Sequence, residues 1–254
     1  MGFGAITQYV DVAQVVLYVF WAFFAGLIVY LVREGKREGY PLESATGPLD
    51  GFPPPPRPKT YLLSDGHTVQ APNDTVSPQV LRGESVHPWD GSPIEPVGDP
   101  LSAGVGPGAW ADRADVPELT FGGSPKLVPL RTLSDYSLAA RDRDPRGMTV
   151  IGGDGEVAGK VVDVWIDTSE AIARLLEVAV PLPDGATRNV LMPINFGRVT
   201  RDAVRVHALY AAQFAGVPAT RDPHRITMLE EEKIMGYFGA GLLYADAARG
   251  EPLF

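Results

Sequence analysis

The sequence predicts one N-terminal membrane-spanning helix and a mainly β domain, a small antiparallel sheet curled into a barrel, with a C-terminal helix. Three observations carry this. Residues 12–32 read VAQVVLYVFWAFFAGLIVYLV, with Gln14 the one strongly polar side chain. Short β-branched stretches separated by Gly and Pro turns fill residues 156–209. Residues 228–248 then change to a helical period.

At 1.5 Å per residue the first stretch makes a helix of about 31 Å, close to the hydrocarbon thickness of a bilayer. A cleaved signal peptide needs a basic leading region, yet no Lys or Arg precedes Arg33. The core helix of a soluble domain would keep a polar stripe, and this one is apolar all round. The leading flank carries only Asp11, whereas Arg33, Lys36 and Arg37 follow the span, which assigns the C-terminal side to the cytoplasm. Tyr30, Arg33, Lys36 and Arg37 form the expected membrane interface. Trp21 falls mid-span, where it packs on lipid or a neighbouring helix.

The chain has 254 residues, a net charge of -9 and no cysteine. The acidic balance argues against nucleic acid as a partner. The lack of Cys excludes disulfides, thiolate metal sites and a Cys nucleophile, and suits a reducing compartment. His67, His87, His207 and His224 show no metal-ligand spacing, and no metal site is expected. Residues 41–108 hold 14 Pro and 9 Gly, a composition usual in disorder, yet Tyr61, Trp89 and other large apolar residues, with Tyr40 just before, are scattered through them. Phe52 is another. The stretch therefore reads as an extended surface segment ordered by a partner. Lys59–Leu63 and Thr68–Pro72, either side of a turn at SDGH, read as a strand pair within it.

The expected organisation is a short N-terminus over 1–11, on the side away from the cytoplasm, and the span over 12–32. An extended Pro/Gly-rich segment follows over 33–115, then a barrel domain over 116–246 with its closing helix over 228–248, and a tail from 249. Expected strands are 156–167, 171–180, 187–192, 195–200 and 203–209. Glu230, Glu231 and Glu232 open the last helix, where they complement its dipole.

No GxxxxGK[ST], HExxH or GxSxG is present, and the GVGPG at 104–108 lacks the strand-to-helix setting of a dinucleotide fingerprint. The notable groups are carboxylates. Asp163, Asp167 and Glu170 lie within eight positions, with Arg174 and Glu177 close by, and Asp115 and Glu118 precede the globular part. Carboxylates whose pKa is raised by burial or mutual repulsion can hold and pass protons near neutral pH, provided several converge on one path.

An ordered set of motifs goes further: FWAFFAGLIVYL, REGKREGYPLE, FPPPPRPKTYLL, GDP at 98–100, GVGPGAWADRADVPEL, AGKVVDVWID and MLEEEKIMGYFGAGLLYA. Over residues 9 to 246 the chain resembles the H subunit of the purple-bacterial photosynthetic reaction centre. The resemblance implies a single-pass protein of the photosynthetic membrane, N-terminus periplasmic, whose cytoplasmic PRC-type barrel caps the L and M subunits. It implies no enzyme activity and no pigment on this chain. Bacteriochlorophyll, bacteriopheophytin, quinones, non-haem iron and carotenoid would sit on L and M. Membrane lipids, a light-harvesting antenna and a cytochrome subunit are the further neighbours it suggests. It implies proton transfer to the secondary quinone through Asp167, Glu170 and Arg174, with Glu118, Glu230, Glu231 and Glu232 at matching acidic positions. One departure stands out. A His-containing stretch that follows PEL in better-known members, and that can bind transition metals, is TFGGSP here, so protons must enter by other groups, with Asp115, Glu118 and His224 as candidates. The alternatives are a membrane-tethered barrel adaptor without a pigment partner and a monotopic enzyme acting on lipid or quinone.

Overall fold

The computed structural model describes residues 6, 10–37, 43–44, 47–48, 53–54, 56–73, 80–89 and 91–250. They fall into two compact units, Met1–Val76 and Ser77–Phe254.

The first unit opens with helix α1, Val12–Gly35, which is long and apolar enough to cross a membrane, with a mean hydropathy of 2.5. Its one polar residue within the apolar run is used locally. Asp11 accepts the Gln14 backbone N–H at 2.8 Å, and the Gln14 side chain accepts the Asp11 N–H at 3.2 Å. This reciprocal cap satisfies two of the amides that any helix start leaves open. Strands β1 (Glu43–Ser44) and β2 (Gly47–Pro48) pair, as do β3 (Lys59–Leu62) and β4 (Thr68–Ala71), the latter with Lys59 opposite Ala71. The second pair is the hairpin expected at KTYLL. The far end of α1 is tied to it. Lys59 Nζ lies 2.6 Å from Glu34, and Arg37 donates to Glu34 at 2.9 Å, to the Ala71 carbonyl at 3.3 Å and to the Arg57 carbonyl. Lys36 Nζ donates to the Pro53 carbonyl. Of the four expected interface residues, Tyr30 and Arg33 are thus exposed, while Lys36 and Arg37 turn onto the 53–71 segment. Tyr40 and Phe52 lie outside the described residues.

The second unit begins with a small pair, β5 (Gly83–Ser85) and β6 (Ile94–Pro96). A seven-stranded sheet follows, built from β7 (Leu127–Pro129), β8 (Thr149–Ile151), β9 (Val157–Asp167), β10 (Ile172–Pro181), β11 (Thr187–Pro193), β12 (Gly197–Val199) and β13 (Ala203–Val206). Its order is β11-β10-β9-β8-β13-β12, with β7 also on β9. The strands at the two ends of that path, β11 and β12, are joined by only the single turn Ile194–Phe196. Three residues span about 10 Å at most, so the ends of the sheet lie close together and the sheet curls. The fold class is the expected one, with one difference: β13 runs parallel to β8, against the expectation of an all-antiparallel sheet. The expected strand over 195–200 is shorter, because its first residues form that turn.

Helix α2 spans Met228–Tyr244 and closes the core. Phe238 is fully buried, stacked on Phe196 at 5.6 Å and edge-on to Phe214 at 5.8 Å. The GVGPG turn packs on the small-residue face of α2. A Cβ added at Gly239 would lie 2.2 Å from the Pro107 carbonyl oxygen, and one at Gly236 would lie 2.8 Å from that of Gly108. The glycines of GYFGAG therefore serve close backbone approach. Leu101, Ala103 and Val105 are buried in the same unit, so part of the Pro/Gly-rich segment takes its order from the chain itself. Val80, Leu81 and Trp89 remain exposed. G239A is expected to destabilise the protein by about 1–3 kcal/mol, because the turn has to back away. An unchanged melting temperature would contradict this packing.

Candidate functional site: a carboxylate and cation chain

The turn from β9 to β10 forms the centre of the site. Asp167, 2% exposed, ends β9, and its Oδ1 accepts the N–H of Ser169 at 2.9 Å and of Glu170 at 3.1 Å. Ala171 follows with φ at 53°, a left-handed conformation that costs a Cβ-bearing residue about 1–2 kcal/mol. The buried carboxylate thus stabilises the tight turn that surrounds it.

Arg174 is the extra residue of a β-bulge: Ala173 faces Ile166 and Leu175 faces Trp165, leaving Arg174 without a cross-strand partner on β9. Bulges re-aim side chains. Here the guanidinium bridges two acids, with Nη1 3.6 Å from Asp167 Oδ2 and Nη2 donating to Glu231 Oε1 at 3.1 Å. Lys126 comes from the other edge of β9, where Leu127 pairs with Asp167. Its carbonyl accepts the Thr168 N–H at 2.8 Å and hydroxyl at 2.9 Å. Its Nζ lies 3.4 Å from Asp167 and 3.5 Å from Glu118. TFGGSP is the turn that makes the last contact possible. Thr120 N–H donates to the Ser124 carbonyl and Lys126 N–H to the Glu118 carbonyl, both at 2.8 Å, with Gly123 at φ 81°.

The result is a continuous series Glu118–Lys126–Asp167–Arg174–Glu231, drawn from the turn and from the start of β7, the end of β9, β10 and α2. Four of the seven residues that the resemblance implies, Glu118, Asp167, Arg174 and Glu231, lie in it. Glu170 contributes its amide, while its exposed carboxylate has no partner among the described residues. Glu230 stands apart. It closes a capping box with Thr227 and accepts the Arg221 N–H at 2.9 Å. Asp115 accepts the Thr227 hydroxyl at 2.8 Å and pairs with Arg221. Glu232 lies 3.6 Å from Arg113, and His224 is exposed. Among the described residues no three or more His, Cys, Asp or Glu side chains are grouped as a metal site.

Burial pushes the Glu231 carboxyl above the usual glutamate range. Arg174 opposes that shift, Glu118 and Glu232 reinforce it, and Arg113 opposes it. Burial acts to lower Lys126, but Asp167 and Glu118 outweigh it and hold the ammonium above its usual value. A carboxyl raised in the folded state binds its proton more tightly there than in the unfolded chain. Its stabilising contribution is complete below the unfolded value of 4.5 and is lost as pH rises through the folded one. E231Q should therefore flatten the fall in stability with rising pH just above 4.5, measured as denaturation midpoints across pH. A slope identical to that of the parent chain would contradict the assignment.

A second charged group is not assembled by sequence reasoning. Asp163 on β9 faces Glu177 on β10, and both are buried. Like charges placed opposite one another on paired strands repel. Arg131 resolves the conflict. Its N–H and Nη1 donate to Asp163 Oδ2 at 3.1 and 3.0 Å, Nη1 also pairs with Glu177, and Nη2 donates to the Pro223 carbonyl at 2.8 Å. Glu177 further accepts from Trp165 Nε1 at 3.2 Å and Asn189 Nδ2 at 2.8 Å.

Residues 139–213 match the family model of the PRC-barrel domain, which gives the class of the curled sheet. Residues 4–132, just over half of the chain, match the model described as photosynthetic reaction centre, H-chain N-terminal region. The chain belongs to the reaction-centre H-chain family. That family consists of accessory subunits associated with the L and M subunits in a membrane, and α1 fits a single pass.

Proposed function

We propose that the chain caps the cytoplasmic face of the L and M subunits, stabilises their assembly and conducts protons to the secondary quinone. The N-terminus would face the periplasm. The pigments, quinones and iron would be held by L and M, with lipid, antenna and a cytochrome as further neighbours. The observation that supports conduction is the Glu118–Lys126–Asp167–Arg174–Glu231 series, which runs from a half-exposed acid through a buried one to an acid with a raised pKa.

Reduction of a quinone buries negative charge in the membrane, and protons must follow it. Exposed Glu170 and half-exposed Glu118 collect them at the surface. Asp167 passes them inward beside Lys126, which stays charged. Glu231, raised by burial, holds a proton closer to neutral pH than an ordinary glutamate does. Arg174 binds both Asp167 and Glu231 and so fixes the gap that a proton or a water must cross. In this chain TFGGSP serves to return Glu118 to Lys126 rather than to supply a His at the entrance.

Mild detergent extraction and purification through this chain tests the assembly. Near-infrared absorption in the purified material is expected, and a colourless preparation would favour an adaptor without a pigment partner.

A further inference from the structure

The proposed relay depends on two elements, a short strand and the start of a helix. Strand β7, which brings Lys126 to Asp167, has three residues and three rungs on β9. A slip of two residues would preserve its faces yet carry Lys126 away by about 6.6 Å. The first turn of α2, which carries Glu231, follows the irregular stretch 218–227. Both elements lead to one side chain. Asp163 and Asp167 sit on the same face of β9, either side of Trp165. KLVPLR places a cation at each end of β7, with Lys126 at Asp167 and Arg131 at Asp163. Arg131 grips Asp163 through both its backbone N–H and Nη1, which fixes the β7 register. Its Nη2 holds the Pro223 carbonyl. Two residues before Pro223, Arg221 binds Glu230 and Asp115, and these hold Thr227, the cap of α2, four positions before Glu231.

We propose that Arg131 is the positioning residue of the relay: by closing the Asp163/Glu177 pair and the 221–227 loop with one guanidinium, it sets both Lys126 and Glu231 against Asp167. This rests on the relay reading of the preceding subsection. Arg131 passes no proton itself. Burial works to lower its pKa, but Glu177 and Asp163 raise it, so it remains a fixed cation.

The test uses the purified reaction-centre complex with the full chain carrying R131K or R131M/E177Q. A lysine reaches one carboxylate but cannot also span to Pro223. The double variant keeps the net charge of the cluster while removing the fork. The first readout is the pH midpoint of the carboxylic-acid infrared band that disappears in E231Q. The groups facing Glu231 are Arg174, Arg113, Glu118 and Glu232, and all are left in place. Both variants are expected to lower that midpoint by about half a unit or more, a roughly threefold change in proton affinity, as Glu231 becomes solvated. Second-flash proton uptake should slow with it. An unchanged midpoint in R131M/E177Q overturns the proposal, and if that variant does not assemble, R131K decides. Should D167N and E231Q themselves leave uptake unaltered, the relay reading fails, while the infrared midpoint still decides whether Arg131 positions Glu231.

Discussion

D167N/E231Q is expected to slow the proton-coupled second reduction of the quinone by about 100-fold, the lower end of what a positioned proton-transfer group contributes, and each single change by less, about tenfold. Each replacement keeps size and most hydrogen bonding but removes the site that takes up a proton. In D167N the new side-chain carbonyl could still accept the amides of Ser169 and Glu170, so the turn and its left-handed Ala171 should survive. In E231Q the amide oxygen could still accept from Arg174. The family resemblance pairs Asp167 with Glu170, three positions away. The geometry favours Glu231 as the second member, because Arg174 contacts both Asp167 and Glu231, while the Glu170 carboxylate stands at the exposed end. Adding E170Q to D167N should then act mainly on proton collection, so that D167N/E170Q slows the reaction less than D167N/E231Q at high buffer concentration. Flash kinetics equal in parent and D167N/E231Q would remove both residues from the path.

R131M should produce the largest loss of stability, about 3–5 kcal/mol, the usual cost of removing one partner from a buried ion cluster. Against a total stability of about 5–15 kcal/mol this is severe. With the guanidinium gone, Asp163 and Glu177 face each other unscreened, and both are almost fully buried. Adding E177Q should recover more than half of the loss. The native group of two carboxylates and one arginine has the same net charge as Asp163 alone. Asp163 keeps the N–H groups of residue 131 and Val164 as donors. The amide introduced by E177Q can still bond Trp165 or Asn189. Chemical denaturation of the full chain in detergent measures this. An R131M/E177Q variant as unstable as R131M would show that packing of the long Arg131 side chain, and not charge, is what matters there.

How far these arrangements can be read in the sequence differs from element to element. Helix α1, the β3–β4 hairpin, β9, β10, β11 and α2 all carry a run long enough for a period or a turn signal, and each lies close to where its pattern places it. β7 and β8 have three residues each, too few to show alternation, and the Pro129 in β7 argues against a strand. With β7 unseen, nothing in the sequence singles out Lys126 or Arg131. Asp167, Asp163 and Glu177 lie tens of positions further along the chain, and only strand register brings them to these cations. The role of Glu230 is legible in principle. Thr227 followed three residues later by Glu230 is a capping-box pattern, and the structure uses it as one. The bulge at Arg174 leaves no sequence mark, since its only trace is a break in pairing register.

The most direct test of proton conduction is uptake on the second flash by complexes depleted of this chain and then reconstituted. A pH indicator dye follows uptake while the quinone is reduced. Restoration of fast uptake by the parent chain, and binding without restoration by D167N/E231Q, is the predicted result. Equal restoration by both, or fast uptake by the depleted complex with no chain added, would contradict it.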